Sequence, residues 1–193
     1  MRIVAGSAKG KVLKVPSKGT RPTSERVREA LFSMLEHRDF IDECAFLDLY
    51  AGTGACALEA VSRGARMALC VEKNEKAARL IRDNSRDVGL DIEVVCADAA
   101  RWITANMDAY ASAFDVVFID PPYDVPNSDV TALLYVLPSV LVDDAMVIVE
   151  RAKRTPGFDI PAGWECEKVR TWGDVSMYML RLDVNNDVTE NGK

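Results

Sequence analysis

Between residues 46 and 150, short apolar runs alternate with stretches of helical periodicity. That rhythm constrains the fold more than anything else in the chain. FLDLY (46–50), MALCVE (67–72), IEVVCAD (92–98), DVVFID (115–120) and AMVIVE (145–150) read as strands. Residues 55–63, 74–88, 99–107 and 128–140 read as the helices between and after them. Ala77, Leu80, Ile81 and Val88 are the expected inner face of the second helix. The strands are continuous apolar runs rather than alternating ones, as expected where helices cover both faces of a parallel sheet. Strand and helix in strict alternation imply an α/β fold with a doubly wound sheet.

After Arg151 the rhythm breaks. WECEKVRTW (164–172) and VSMYMLRLD (175–183) flank Gly173-Asp174 and read as an antiparallel hairpin at one end of the sheet. Before residue 39, RIVAG (2–6) and KVLKV (11–15) suggest a small β-hairpin. Thr23 or Ser24 then caps a helix to about Glu36, with Val27, Leu31, Met34 and Leu35 on one face. The expected organisation is a basic extension over 1–38, a main domain over 39–183 and a polar tail over 184–193. The five cysteines form no CxxC pair and no cluster with the lone His37, so no metal site is expected. Cys70 and Cys96, in apolar runs, read as buried hydrophobes.

Net charge is −6, which argues against nucleic acid until its distribution is considered. Residues 1–38 hold nine basic groups against three acidic ones, net +6, leaving −12 for the remainder. A basic arm on an acidic body marks a nucleic-acid contact surface, or else a solvated arm with no partner. No segment approaches the ~20 apolar residues of a membrane span, and no apolar core follows the first charges. A cytoplasmic location and no membrane partner are expected.

DLYAGTGACALEA (48–60) places Gly52 and Gly54 between the first strand and the first helix, at the sheet edge where ligands of open α/β folds bind. Acids end successive strands. Glu72 is placed to accept both hydroxyls of a ribose, and Asp98 to accept from an adenine amino group. Asp48 is placed to face an amino-acid portion. Together they suggest one nucleoside ligand, with Tyr50, Ala51, Thr53, Lys73 and Ala99 as their neighbours in the same site. Gly52, Gly54 and Ala57 also satisfy a permissive dinucleotide fingerprint, so this motif alone leaves NAD open.

Asp120-Pro121-Pro122-Tyr123 follows the fourth strand. Two prolines bar the chain from a sheet ladder or a helix and fix a rigid turn. Asp120 offers a carboxylate, Pro121 a backbone carbonyl and Tyr123 an aromatic face. Two acceptors gripping the N–H groups of an arylamine favour a pyramidal nitrogen with an available lone pair. They also stabilise the charge that develops on methylation. Tyr123 stacks on the base, which must be single-stranded or flipped out. The structural alternative is a Pro-Pro loop capped by Asp120, with Tyr123 packed beneath it.

DPPY in this setting resembles the signature of amino-group methyltransferases acting on adenine N6 or guanine N2. The whole chain to about residue 183 resembles the RsmD family, bacterial enzymes that methylate guanine N2 in small-subunit ribosomal RNA. MRIVAGSAKGKVLKVP, RPTSERVREALFSML (21–35), DLYAGTGACALEAVSRGA (48–65) and FIDPPY (118–123) carry the likeness. The resemblance implies a Rossmann-like class I fold, S-adenosylmethionine as cofactor, and 16S rRNA as partner, within a small-subunit assembly particle. It also implies that Arg21, Thr23 and Arg28 lie near the site, with Arg2, Lys9 and Lys11 on phosphates. A monomer is expected. Two other readings stay open. One is adenine N6 methylation of DNA or RNA, for which 193 residues leave little room for a target-recognition domain. The other is a non-catalytic RNA-binding assembly factor. NAD-dependent oxidoreduction is a distant fourth, since no hydride-transfer acid or base is evident.

Overall fold

The structure, a computed structural model, describes residues 1–16, 24–155 and 157–183. Five strands, β1 (Ala45–Leu49), β2 (Met67–Val71), β3 (Glu93–Val95), β4 (Phe114–Ile119) and β5 (Leu141–Ala152), run parallel. An antiparallel pair, β6 (Trp164–Trp172) and β7 (Val175–Leu182), completes a seven-stranded sheet of order β3-β2-β1-β4-β5-β7-β6. The helices are α1 (Glu25–His37), α2 (Ala55–Ser62), α3 (Glu75–Val88), α4 (Ala99–Asn106) and α5 (Asn127–Val136), the last followed by a 3-10 turn over Leu137–Val140.

Side chains alternate across each strand and so feed two cores. Leu47, Leu49, Val117, Ile119, Val147 and Val149 pack with Trp102 and Ile103 of α4 and Leu133 and Leu134 of α5. Phe46, Cys70, Val116, Phe118 and Ile148 pack with Leu31, Phe32 and Leu35 of α1, Ala57 of α2 and Ile81 of α3. This is the doubly wound sheet the periodicity predicts. β5 begins four residues earlier than its apolar run, because a register break carries Val142–Ala145 past the β4 edge.

Several local expectations are corrected. The buried stripe of α3 is Ala78, Ile81, Asn84 and Val88, and Ala77 and Leu80 lie at its margin. Met34 of α1 is only partly covered. Cys96 is exposed, because β3 is an edge strand that ends at Val95.

The N-terminal hairpin reduces to one bridge, Arg2 to Val12. Its fastening is mostly polar. The Val4 and Ala5 amides donate to the Glu59 carboxylate at 2.8 and 2.9 Å, and the Ala8 amide donates to Ser62 Oγ at 3.0 Å. Asn84 both accepts from the Lys14 amide (2.8 Å) and donates to the Lys14 carbonyl (3.0 Å). Beneath these bonds Ile3, Ala8 and Leu13 pack on Leu58 and Val88. The arm is thereby joined to α2 and α3.

Candidate active site

The β1–α2 turn, the end of β2, the start of α4 and the loop after β4 all lie at the carboxyl edge of the sheet. Tyr50, Gly52 and Gly54 all take positive φ. The two glycines have different work. A methyl group on Gly54 would sit 2.7 Å from Ile81 Cγ2, so this glycine lets the turn press against α3. One on Gly52 would meet nothing nearer than the Tyr50 carbonyl oxygen at 3.9 Å, so this backbone lies open to a ligand. Glu72 holds the turn from the neighbouring strand. Its Oε2 accepts from the Gly52 amide (2.9 Å) and its Oε1 from the Asn74 amide (2.7 Å), and each oxygen keeps a lone pair for a hydroxyl. Asp98 caps α4 by accepting from the Arg101 amide (3.3 Å), and it pairs with Lys73 (3.3 Å). Burial pushes the Asp98 carboxyl up, but that amide and Lys73 outweigh burial and hold it below the usual range. Ala99 and Thr53 are buried beside them, and Ala51 is too.

Asp48 departs from its expected role. It is 2% exposed and accepts from the Ala57 amide (3.2 Å), so it braces the first turn of α2 from below rather than facing a ligand. Burial, helped by the nearby Glu72 charge, pushes its carboxyl up to about 7, while the Ala57 amide opposes the rise.

The loop Asp120–Pro126 is held at both ends. The Asp120 amide donates to the Leu49 carbonyl (3.4 Å), and the Val125 amide donates to the Pro122 carbonyl (3.0 Å). Among the described residues no amide takes the Pro121 carbonyl. Arg151 of β5 donates through Nη2 to the Val125 carbonyl and to Asn127 Oδ1, both at 2.9 Å, tying the loop to the start of α5. Tyr123 stands 54% exposed. Beside it lies a cavity of about 470 Å³ between the first turn of α1, the end of β5 and the β6–β7 turn, bordered by Arg26, Tyr123, Glu150 and Trp172. A shallower groove shares Thr171 and Trp172 with it and runs on between α1 and β6 past Arg170.

Arg28 is corrected most sharply. It is fully buried, with Nε 3.2 Å from Glu59 and Nη2 donating to the Arg2 carbonyl, so it cannot reach a phosphate. Its partner is Glu59 of α2 rather than an acid on its own helix. Arg26, two residues earlier and on another side of the helix, is exposed and borders the cavity. Arg2 and Lys9 are exposed, and Lys11 is exposed with its ammonium donating to the Val88 carbonyl (2.6 Å). Arg21 and Thr23 lie outside the described residues.

Glu150, Arg151 and Trp172 lie outside the residues that motif and spacing single out. A signal was present: Glu150-Arg151 ends an apolar strand run at the ligand edge, as Glu72 and Asp98 do.

Residues 1–181 match the family described as Conserved hypothetical protein 95. The chain belongs to this family. Family-wide likeness extends to curated relatives named "Ribosomal RNA small subunit methyltransferase D". The Escherichia coli K12 protein is 29% identical over 97% of this chain and 92% of its own. The Haemophilus influenzae protein is 31% identical over 91% of each. Among solved structures, a hypothetical protein of Thermus thermophilus superposes with a TM-score of 0.81 at 30% identity, covering 94% of this chain and 99% of that one. The match spans both the glycine turn and the tetrapeptide.

Proposed function

We propose that this protein methylates the exocyclic N2 amine of a guanine in 16S ribosomal RNA, using S-adenosylmethionine. It acts as a cytoplasmic monomer on RNA within a small-subunit assembly particle. One observation carries the reading: Asp120-Pro121-Pro122-Tyr123 stands next to both the open glycine turn and a cavity with aromatic side chains at its rim. The family's named relatives support the RNA substrate.

Gly52, Glu72 and Asp98 fit the turn, ribose and adenine of an S-adenosyl nucleoside, with Tyr50, Ala51, Thr53, Lys73 and Ala99 around it. Asp48 contributes from beneath by holding the α2 start. The bound cofactor supplies an electrophilic methyl carried on a sulfonium. Asp120 accepts one amine N–H and the Pro121 carbonyl the other, so the nitrogen lone pair is freed from the ring and aimed. The positive charge that forms on nitrogen is met by a carboxylate and a carbonyl dipole already in place. Proton loss to water then returns the amine to neutrality. Pro121 and Pro122 limit the loop's freedom, and Arg151 fixes its far end, so positioning is built in before substrate arrives. Arg2, Lys9, Lys11 and Arg26 supply phosphate contacts at the surface.

The test is transfer of labelled methyl from S-adenosylmethionine to RNA and small subunits from cells lacking the gene, followed by nucleoside analysis. Label in N2-methylguanosine is expected. Label only in N6-methyladenosine, or none at all, refutes the assignment.

A further inference from the structure

We propose that Glu150 is a specificity-determining residue: in the cavity beside the tetrapeptide it accepts the N1–H of the target guanine, while Asp120 accepts from the N2 amine. The inference rests on the methyl-transfer reading above and deepens it.

Strand register carries the first part. β4 and β5 are parallel, with Phe118 opposite Ile148 and Ile119 opposite Val149, so the next register position sets Asp120 beside Glu150. Phe118 and Ile148 both point into the core beneath α1, and so does Met177, the β7 partner of Glu150. Alternation returns Glu150 to that same face, where α1 and the β6–β7 turn form the cavity walls. The buried Cys56 thiol is pushed up chiefly by burial and then by Asp48, with Arg28 opposing and Glu150 and Asp120 adding to the rise. Glu150 is only 6% exposed, so it meets a ligand at the cavity floor rather than in open water.

Chemistry carries the second part. On guanine the N1–H stands next to the 2-amino group, so neighbouring carboxyl oxygens match two adjacent donors. Adenine presents a bare acceptor at N1, and a carboxyl oxygen aimed at it meets lone pair with lone pair. A buried acceptor left facing an acceptor rejects the wrong base far more strongly than shape alone does. Tyr123 and Trp172 at the cavity rim offer ring faces between which the flipped base stacks. Glu150 already has an interaction within the protein, and a carboxylate with about four acceptor sites takes a further N–H without surrendering it.

The experiment uses the full chain and RNA in which the methylated guanine, once located, is replaced by 2-aminopurine. This base keeps the 2-amino group but has no hydrogen on N1. The unaltered protein is expected to lose about 100-fold in kcat/KM on 2-aminopurine, the scale of one hydrogen bond to a charged acceptor. Glu150→Gln is expected to lose a similar factor on guanine and to regain activity on 2-aminopurine, because its amide can donate to N1. Binding of S-adenosylmethionine should be unchanged. Equal use of the two bases by the unaltered protein overturns the proposal, and so does equal loss on both in the variant. 2-Aminopurine also lacks O6, so if Glu150→Gln fails to fold, Glu150→Asp decides: its withdrawn carboxylate is expected to lose activity on guanine and not on 2-aminopurine, and equal loss on both overturns the proposal. Absence of methyl from every guanine of small-subunit RNA overturns the underlying reading and this one with it.

Discussion

Glu59→Gln tests how the N-terminal arm is held. Glu59 sits fully buried in α2, which is otherwise apolar apart from Ser62. Its Oε2 accepts from the Val4 amide (2.8 Å) and Arg28 Nε (3.2 Å), and its Oε1 from the Ala5 amide (2.9 Å) and Arg63 Nε (2.8 Å). Glutamine keeps the shape but turns one oxygen into a donor. Whichever way the amide lies, one backbone N–H and one guanidinium then face a donor. Arg28 is also left without its counter-charge in the interior. Breaking a buried pair on one side costs about 3–5 kcal/mol. A domain of ordinary stability, about 5–15 kcal/mol, survives this but with little margin. Urea unfolding should show the midpoint fall at unchanged slope. Hydrogen exchange should show the Val4 and Ala5 amides losing protection first. Because the loosened arm carries Lys9 and Lys11, RNA affinity should fall while cofactor affinity holds. A loss below about 0.5 kcal/mol, the range of ordinary surface changes, would refute the claim that this carboxylate fastens the arm.

Asp120→Ala should lower methyl transfer by at least about 100-fold, the scale of losing one charge-stabilising group, with cofactor affinity in equilibrium dialysis within about two-fold; unchanged turnover would sink the mechanism. Charge reversal at Lys9 and Lys11 should weaken RNA binding more at low salt than at high salt and flatten the salt dependence by about one unit for each phosphate no longer neutralised; equal weakening at both salts would point to misfolding. Asp48→Asn should stabilise the protein increasingly as pH rises. The folded carboxyl titrates at about 7 against an ordinary 3.8, so the native state holds a proton the unfolded chain has released. Stability therefore falls between pH 4 and 7, by at most about 4 kcal/mol, and the neutral amide escapes that fall. Melting temperatures of both proteins at pH 5 and pH 8 measure it, and a gap that does not widen refutes the assignment of the cost to Asp48.

The parallel sheet was legible because burial on both faces imposes continuous apolar runs, and each of the five runs became a strand. What misled was position within the sheet. Cys96 and Cys70 both lie in apolar runs, but β2 is flanked on both sides and β3 on only one, so only Cys70 is covered. Likewise β5 starts at Leu141 although Asp143 and Asp144 interrupt its hydrophobicity. A register break holds those acids off the neighbouring strand, and period-two reading has no means of foreseeing it.

The carboxylates at strand ends were legible because an acid closing an apolar run has few structural uses there. The same logic puts forward Asp48, Glu72 and Asp98, Asp120 coming from the tetrapeptide, and applied to the fifth strand it reaches Glu150. Burial of Arg28 was also written in the chain. Positions 28, 31, 32 and 35 share one helical face, so Arg28 falls on the apolar stripe with Leu31, Phe32 and Leu35. Glu59 is likewise the only charge within ACALEAVS. A lone cation on one buried stripe and a lone anion on another must find each other, since neither can be left unpaired inside. Charge counted along the sequence treats Arg28 as part of a nucleic-acid surface, whereas charge placed on helical faces removes it. With Arg28 paired to Glu59, Lys14 to Asp87 and Arg38 to Glu167, the described cations of the arm and α1 left to meet RNA are Arg2, Lys9, Lys11 and Arg26. Arg26 borders the cavity itself, so under the proposed function a phosphate held there would set the neighbouring base within reach of Asp120 and Glu150.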